Sequence, residues 1–197
     1  MFAEWFEGLT KGVTKMRVIA GTRRGIPLKS ITGTDTRPTS DKVKEALFSK
    51  IGQFFDGGTA VELFGGSGSL SLEALSRGAE HAWIFERNPK AIAVIKANAE
   101  KCKFVNELQI IRGDARSAAA KLSKEGIQAD LLFLDPPYAK KEFYDIAAQF
   151  ADEGLLTDRA IIVCEHDKQL TLPLSYGSFE STGTTVYGGS AITIYKK

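Results

Sequence analysis

From residue 59 onward, short runs rich in β-branched and aromatic residues alternate with stretches whose apolar positions recur every three to four residues. The short runs predict strands at 59–63, 81–85, 108–112, 129–134 and 160–166, and the longer stretches predict helices at 69–77, 88–101, 115–124 and about 140–150. Strands that take turns with helices make an α/β fold, a mostly parallel sheet with helices on both faces. Ile92, Ile95, Ala99 and Cys102 form one helical stripe, with Asn88 as N-cap and Pro89 in the first turn, so Cys102 reads as core. Two flanks break the alternation. Gly25-Ile26-Pro27-Leu28 marks a hairpin, and Ser40 or Asp41 can cap a helix that turns Val43, Ala46, Leu47 and Ile51 inward. At the other end, 179–187 and 191–195 read as two strands joined by Gly188-Gly189-Ser190.

Composition narrows this picture to one globular unit. The 197 residues are 43% hydrophobic and 25% charged, which excludes a disordered or fibrous chain, and no apolar run approaches the ~18 residues of a membrane span. Cys102 and Cys164 are far apart and match no metal-ligand spacing, so a reducing cytoplasm is expected and no zinc module. Residues 1–15 lack the basic start and apolar stretch of a secretory signal. They read as an added leader before Met16 or as a short amphipathic arm, with 16–52 an amino-terminal hairpin and helix and 53–197 the main domain. Net charge is only +2, yet residues 11–50 alone carry +7. Such a layer reads either as a nucleic-acid-facing edge or as a solvated face. Its candidates for phosphate contact are Arg23, Arg24, Lys29, Arg37, Lys42 and Lys44.

Three strand ends carry chemistry. Glu62-Leu63-Phe64-Gly65-Gly66-Ser67-Gly68 is a strand that runs through a glycine-rich turn into a helix, the arrangement of a nucleotide-like cofactor site. A dinucleotide fingerprint would want glycine at position 71, where Ser71 stands, which counts against NAD. Glu86 ends the second strand and can accept both hydrogens of a ribose diol, or else pair with Arg87 or Lys90 at the surface. Asp114-Ala115 follows the third strand, where the acid can also cap a helix. The most specific run is Leu134-Asp135-Pro136-Pro137-Tyr138. Neither proline has an N–H, so the turn is stiff and leaves the Pro136 carbonyl outward. Asp135 and that carbonyl are two acceptors for the two hydrogens of an exocyclic amine, and Tyr138 is a face on which its ring can stack. A merely rigid loop is the plainer alternative.

These residues carry a resemblance. The glycine turn with Asp135-Pro136-Pro137-Tyr138 resembles the class I S-adenosylmethionine-dependent amino-methyltransferases. Arg17-Val18-Ile19-Ala20-Gly21, Arg37-Pro38-Thr39-Ser40-Asp41, Leu72-Glu73-Ala74-Leu75-Ser76-Arg77-Gly78-Ala79 and Phe85-Glu86-Arg87-Asn88 together resemble the RsmD family, which methylates guanine N2 in 16S rRNA. Departures are Glu62 for a usual Asp, Gly65 for a usual Ala, and Gly188-Gly189-Ser190 for a more polar turn. The resemblance implies a Rossmann-like sheet of seven strands with the last inserted antiparallel. It implies S-adenosylmethionine as cofactor, held by Glu62, Phe64, Gly65, Gly66, Ser67, Gly68, Glu86, Arg87, Asp114, Ala115 and Asp135. It implies catalysis by Asp135, Pro136, Pro137 and Tyr138, and as partner 16S rRNA or the assembling small subunit, met by a monomer without metal or membrane. A DNA adenine-N6 methyltransferase would grip its base with the same kind of motif, though the length leaves little room for target recognition. An NAD-dependent dehydrogenase would have no use for the Asp135 to Tyr138 run, and a non-catalytic RNA-binding module would have no reason to keep a cofactor turn.

Overall fold

The structure, a computed structural model, describes residues 16–31, 41–137 and 141–197. After the amino-terminal segment come α1 (Asp41–Ile51), β1 (Thr59–Leu63), α2 (Ser69–Ser76), β2 (His81–Glu86), α3 (Pro89–Cys102), β3 (Leu108–Arg112), α4 (Ala118–Glu125) and β4 (Ala129–Leu134). They are followed by α5 (Asp145–Asp152), β5 (Leu156–Asp167), β6 (Ser175–Tyr176), β7 (Phe179–Tyr187) and β8 (Ser190–Lys196). The strands form one sheet in the order β3-β2-β1-β4-β5-β8-β7-β6. β1 to β5 run parallel, and β8 lies antiparallel between β5 and β7. The sheet has eight strands rather than the seven expected, because the two-residue β6 adds an edge that has almost no sequence pattern of its own.

Side chains alternate across the sheet. Ala60, Leu131 and Phe133 pack against α1, α2 and α3, while Val61, Leu132 and Leu134 pack against α4 and α5. The chain proceeds outward from β1 to β3 and then returns to β4 beside β1, so order reverses between β1 and β4. In open α/β sheets the crevice outside the carboxyl ends of the strands at that reversal is where ligands bind.

Several local expectations change. The amino-terminal hairpin is a single bridge, Arg17 to Pro27, flanked by the Val18 N–H on the Ile26 carbonyl at 2.9 Å and the Leu28 N–H on the Met16 carbonyl at 2.8 Å, and joined by a 3-10 turn at Gly21–Arg23. The helix expected to begin at Ala115 starts as a 3-10 turn, Ala115–Ser117, before α4. Asn88 caps α3 as expected, its side chain accepting the Lys90 N–H. On α1 the inward stripe is Lys44, Leu47, Phe48 and Ile51, with Val43 and Ala46 only half-buried. A lysine occupies a core position there, which polar patterning cannot anticipate. Ser40, Arg37 and Tyr138 lie outside the described residues.

A buried ion cluster holds the amino-terminal segment to the sheet. The fully buried Glu73 carboxylate accepts the Ile19 and Ala20 N–H groups at 2.8 and 3.0 Å, Lys44 Nζ at 3.3 Å and Arg77 Nε at 2.8 Å. Lys44 also donates to the Arg17 carbonyl, and the Arg77 guanidinium covers the Phe48 ring at 4.6 Å. Next to the cluster a Cβ at Gly21 would lie 1.7 Å from the Ser76 carbonyl oxygen, so only glycine lets the turn close against α2. The two motifs around residues 17–21 and 72–79 are thus the two halves of one contact, and residues 16–28 and α1 share a core with the sheet.

Candidate active site

β1 ends by a backbone inversion. Phe64 takes φ +66, a left-handed conformation that costs a non-glycine residue roughly 1–2 kcal/mol, and its ring packs edge-on to Phe143 with centroids 4.8 Å apart. Gly65 then passes so close to β2 that a Cβ would lie 2.2 Å from Ile84, and its N–H donates to the Phe85 carbonyl at 3.1 Å. Its need for glycine is close approach to the neighbouring strand. Gly68 caps α2 from a position turned toward Ile84 and Ile95, so it supports the turn from behind.

Glu86 is held by backbone. Its carboxylate accepts the Gly66 N–H at 2.9 Å and the Asn88 N–H at 2.8 Å, and among the described residues it makes no ion pair with Arg87 or Lys90. A carboxylate has about four acceptor positions, so two stay open toward the cleft. Asp114 is more committed: it caps the 3-10 turn and receives Arg116 at 2.8 Å on each oxygen, contacts that hold its carboxyl below the ordinary carboxylate range.

The cleft, about 280 Å³, is lined by Glu62, Phe64, Gly65, Gly66, Ser67, Glu86, Arg87, Asp114, Ala115, Asp135, Pro136 and Pro137. All of these were legible in the sequence. The structure adds Phe143, the strap Ser30-Ile31, Ser69 and Leu70 of α2, Ala91 of α3 and the strand-end neighbours Phe85, Asn88 and Gly113. Behind that strap, fully buried Asn98 accepts the Lys29 N–H at 2.7 Å and donates to the Lys29 and Ser67 carbonyls, each at 3.0 Å. No local pattern marked it. An asparagine between apolar residues of α3 is recognisable only when its two partners, 69 and 31 residues away, are seen around it.

Two acids in the cleft are difficult to ionise. Glu62 accepts the Ser71 N–H at 2.9 Å, yet burial outweighs that bond and pushes its pKa up to about 7. Burial, then the fields of Glu165 and Glu62, raise Asp135 well above the ordinary carboxylate value. The consequence for Glu62 can be measured. Between pH 4.5 and about pH 7 the unfolded chain has lost this proton while the folded protein keeps it, so stability falls as pH rises through that window. The loss is about 3 kcal/mol for a displacement of that size. Glu62→Gln should retain that stability at about pH 8 in urea unfolding, and the remaining slope should be that of Asp135. Parallel stability curves for the two proteins would mean that Glu62 is already charged in the fold.

The basic residues separate into three groups. Lys44 is fully buried in the Glu73 cluster, which removes it from the expected phosphate contacts. Arg23 donates to the Cys102 carbonyl at 2.7 Å and lies over Phe104, at the far end of α3. The 14 residues of that helix put Arg23 about 20 Å from Asn88 at the cleft, which separates it from the Asp135 loop, whereas Arg24 is exposed and lines a surface hollow with Lys42. Lys29, next to the strap, and Lys42 are exposed, and Arg37 lies outside the described residues. Among the described residues no helix is long and apolar enough to cross a membrane and no acid, histidine or cysteine cluster could hold a metal.

Comparison with known proteins agrees with this geometry. A family model described as conserved hypothetical protein 95, the RsmD family, matches residues 16–196. The chain belongs to this family. It is 41% identical to YlbH of Bacillus subtilis over 182 residues, 92% of this chain and 99% of that protein. It is 28% identical to the ribosomal RNA small subunit methyltransferase D of Escherichia coli, over 94% of this chain and 92% of the relative. The solved structure of Escherichia coli yhhF matches with a TM-score of 0.77 at 28% identity, covering 93% of this chain and 98% of that one. SMU.776, solved in complex with SAH, shares the fold alone, with a TM-score of 0.66 at 12% identity over 87% of this chain and 54% of its own. The fold is that of the class I methyltransferases.

Proposed function

We propose that this protein transfers a methyl group from S-adenosylmethionine to the exocyclic N2 of a guanine in small-subunit ribosomal RNA. The observation that carries the reading is that Asp135-Pro136-Pro137 opens into the same cleft as the glycine turn and Glu86, at the point where strand order reverses. The donor set suits the cofactor. Glu62 offers a carboxylate to a cationic head, Glu86 keeps acceptor positions for a ribose diol, and Phe64, Phe143 and Ala115 supply apolar walls for an adenine. When bound, S-adenosylmethionine supplies the methyl group as a sulfonium electrophile.

The chain's own residues then orient the acceptor. Asp135 and the Pro136 carbonyl, to which no described residue donates, accept the two amine hydrogens and aim the nitrogen lone pair at the methyl. Tyr138 stacks the extruded base. Lys29, Lys42, Arg24 and Arg37 meet the phosphates around it. An NAD-dependent dehydrogenase finds no support, because Ser71 is buried inside α2 with its N–H on Glu62.

The test is methylation with labelled cofactor of naked 16S rRNA, small subunits and duplex DNA. Label on guanine N2 of RNA is expected, whereas label on adenine N6 of DNA would favour the rival methyltransferase. A charged acceptor is worth ~1.5–3 kcal/mol, so Glu86→Ala should weaken S-adenosylmethionine binding by roughly one to two orders of magnitude in calorimetry. Unchanged affinity would remove Glu86 from the site.

A further inference from the structure

Glu165 has no part in the methyl transfer so far, but the register of the sheet places it beside the reacting acid. β4 and β5 are parallel with Leu134 opposite Cys164, adjacent strands lying about 4.8 Å apart, so Asp135, the residue that follows the end of β4, comes beside Glu165 of β5, whose charge acts on it. Leu134 and Cys164 both point to the α4–α5 face, and the alternation turns Asp135 and Glu165 together to the other. Glu62, paired in register with Phe133, points to that face as well. Glu165 is 7% exposed. On its other side it faces Ile192 of β8, and the Tyr144 hydroxyl donates to its backbone carbonyl at 2.6 Å. From α2 the region receives backbone N–H groups, while Lys44 and Arg77 are paired with Glu73. His166, the next residue, points away and has both ring nitrogens bonded, to the Asp167 carbonyl and to Thr193. Among the described residues the charges facing Asp135 are therefore Glu165 and Glu62, with Glu86 one strand further on.

Two carboxylates side by side in a water-poor site do not both ionise readily. We propose that Glu165 is a positioning residue for methyl transfer: it and Asp135 hold one proton between them in the free protein, the pair releases it when the sulfonium cofactor binds, and the pair takes it back from the methylated amine. The inference rests on the methyl-transfer reading. In the reaction the amine lone pair forms the N–C bond, the C–S bond breaks with its electrons on sulfur, and the positive charge moves to a nitrogen that carries one methyl and two hydrogens. Asp135, already hydrogen-bonded to one of those hydrogens, accepts it as a proton. Sulfur is neutral by then and the charge sits on the acidic nitrogen, so once its proton has passed to the pair no cation remains in the site to keep both acids ionised. The product leaves as a neutral secondary amine, and the pair returns to its starting state with one proton.

The proton count is measurable without RNA. Titrating S-adenosylmethionine calorimetrically near neutral pH, in buffers of different ionisation enthalpy, should show wild type releasing close to one proton more than Glu165→Gln. Glu165→Asp should restore most of the release. In single turnover, Glu165→Gln should slow methyl transfer by about 100-fold, lose the rise in rate with pH and leave the RNA KM near that of wild type. Equal proton release in wild type and Glu165→Gln would overturn the proposal. If Glu165→Gln does not fold, Asp135→Asn must show the same loss of release, and full release in that variant would overturn it equally. Failure of S-adenosylmethionine to bind at all would refute the methyl-transfer reading, whereas binding without proton release refutes only the pair.

Discussion

Asp135→Ala is expected to lower the single-turnover rate of methyl transfer by about 100- to 1,000-fold, the usual effect of losing one preorganised contact to the reacting group. Asp135 stands at the end of β4 with its backbone fixed by two prolines and its strand buried on both faces, so no reorganisation is needed when the amine arrives. Cofactor affinity should change by less than about tenfold, because Glu86 and the glycine turn make the contacts to the ribose and the methionine end. A variant that kept more than a tenth of the parental rate would exclude Asp135 as the group that grips the amine. The sign of the pH dependence follows from the same environment. Burial and Glu165 keep a proton on Asp135 above the ordinary carboxylate range, and only the ionised acid accepts from the amine, so the rate should rise with pH there. The alanine variant should show no such rise.

Glu73→Ala should be the most destabilising single change in the amino-terminal half. It leaves Lys44 and Arg77 as buried cations without their counter-charge and the Ile19 and Ala20 N–H groups without an acceptor. Removing one partner of a buried ion pair typically costs ~3–5 kcal/mol, and here several bonds end on one carboxylate. Chemical denaturation should report a loss of at least that size, and hydrogen exchange should rise first at residues 17–20, where the segment is attached. Because Ser30 and Ile31 of the same segment wall the cofactor cleft, S-adenosylmethionine binding should weaken as well. A loss below about 1 kcal/mol would mean that the segment is held by its apolar contacts alone, through Met16, Val18 and Leu28.

The central sheet and its cleft were legible because their signals are local. β1 begins after Gly57-Gly58, β3 ends before Gly113-Asp114 and β4 ends before Asp135-Pro136-Pro137, and the chemistry sits at the carboxyl ends of these strands. The stiffness of Asp135-Pro136-Pro137 and the closeness demanded at Gly65 are properties of a few neighbouring residues, so a motif can record them. Lys44 shows the opposite case. Its spacing put it one position off the predicted apolar stripe of α1, and its charge suggested solvent, yet the helix is rotated so that Lys44 meets Glu73, 29 residues away. Arg23 was likewise assigned by charge and redirected by the Cys102 carbonyl and the Phe104 ring.

By itself, the sequence determined the α/β alternation, the glycine turn, the acid after β2, the Asp135 loop and the family. Each depends on residues within one turn or one strand, where steric and hydrogen-bonding rules act at short range. Only the tertiary structure decided which acids face each other, because that depends on strand order and register. The reversal between β1 and β4 and the parallel pairing of β4 with β5 bring Glu62, Asp135 and Glu165 to one face from positions 73 and 30 residues apart. Burial at that junction, which no local pattern encodes, is what turns three ordinary carboxylates into groups that contend for protons.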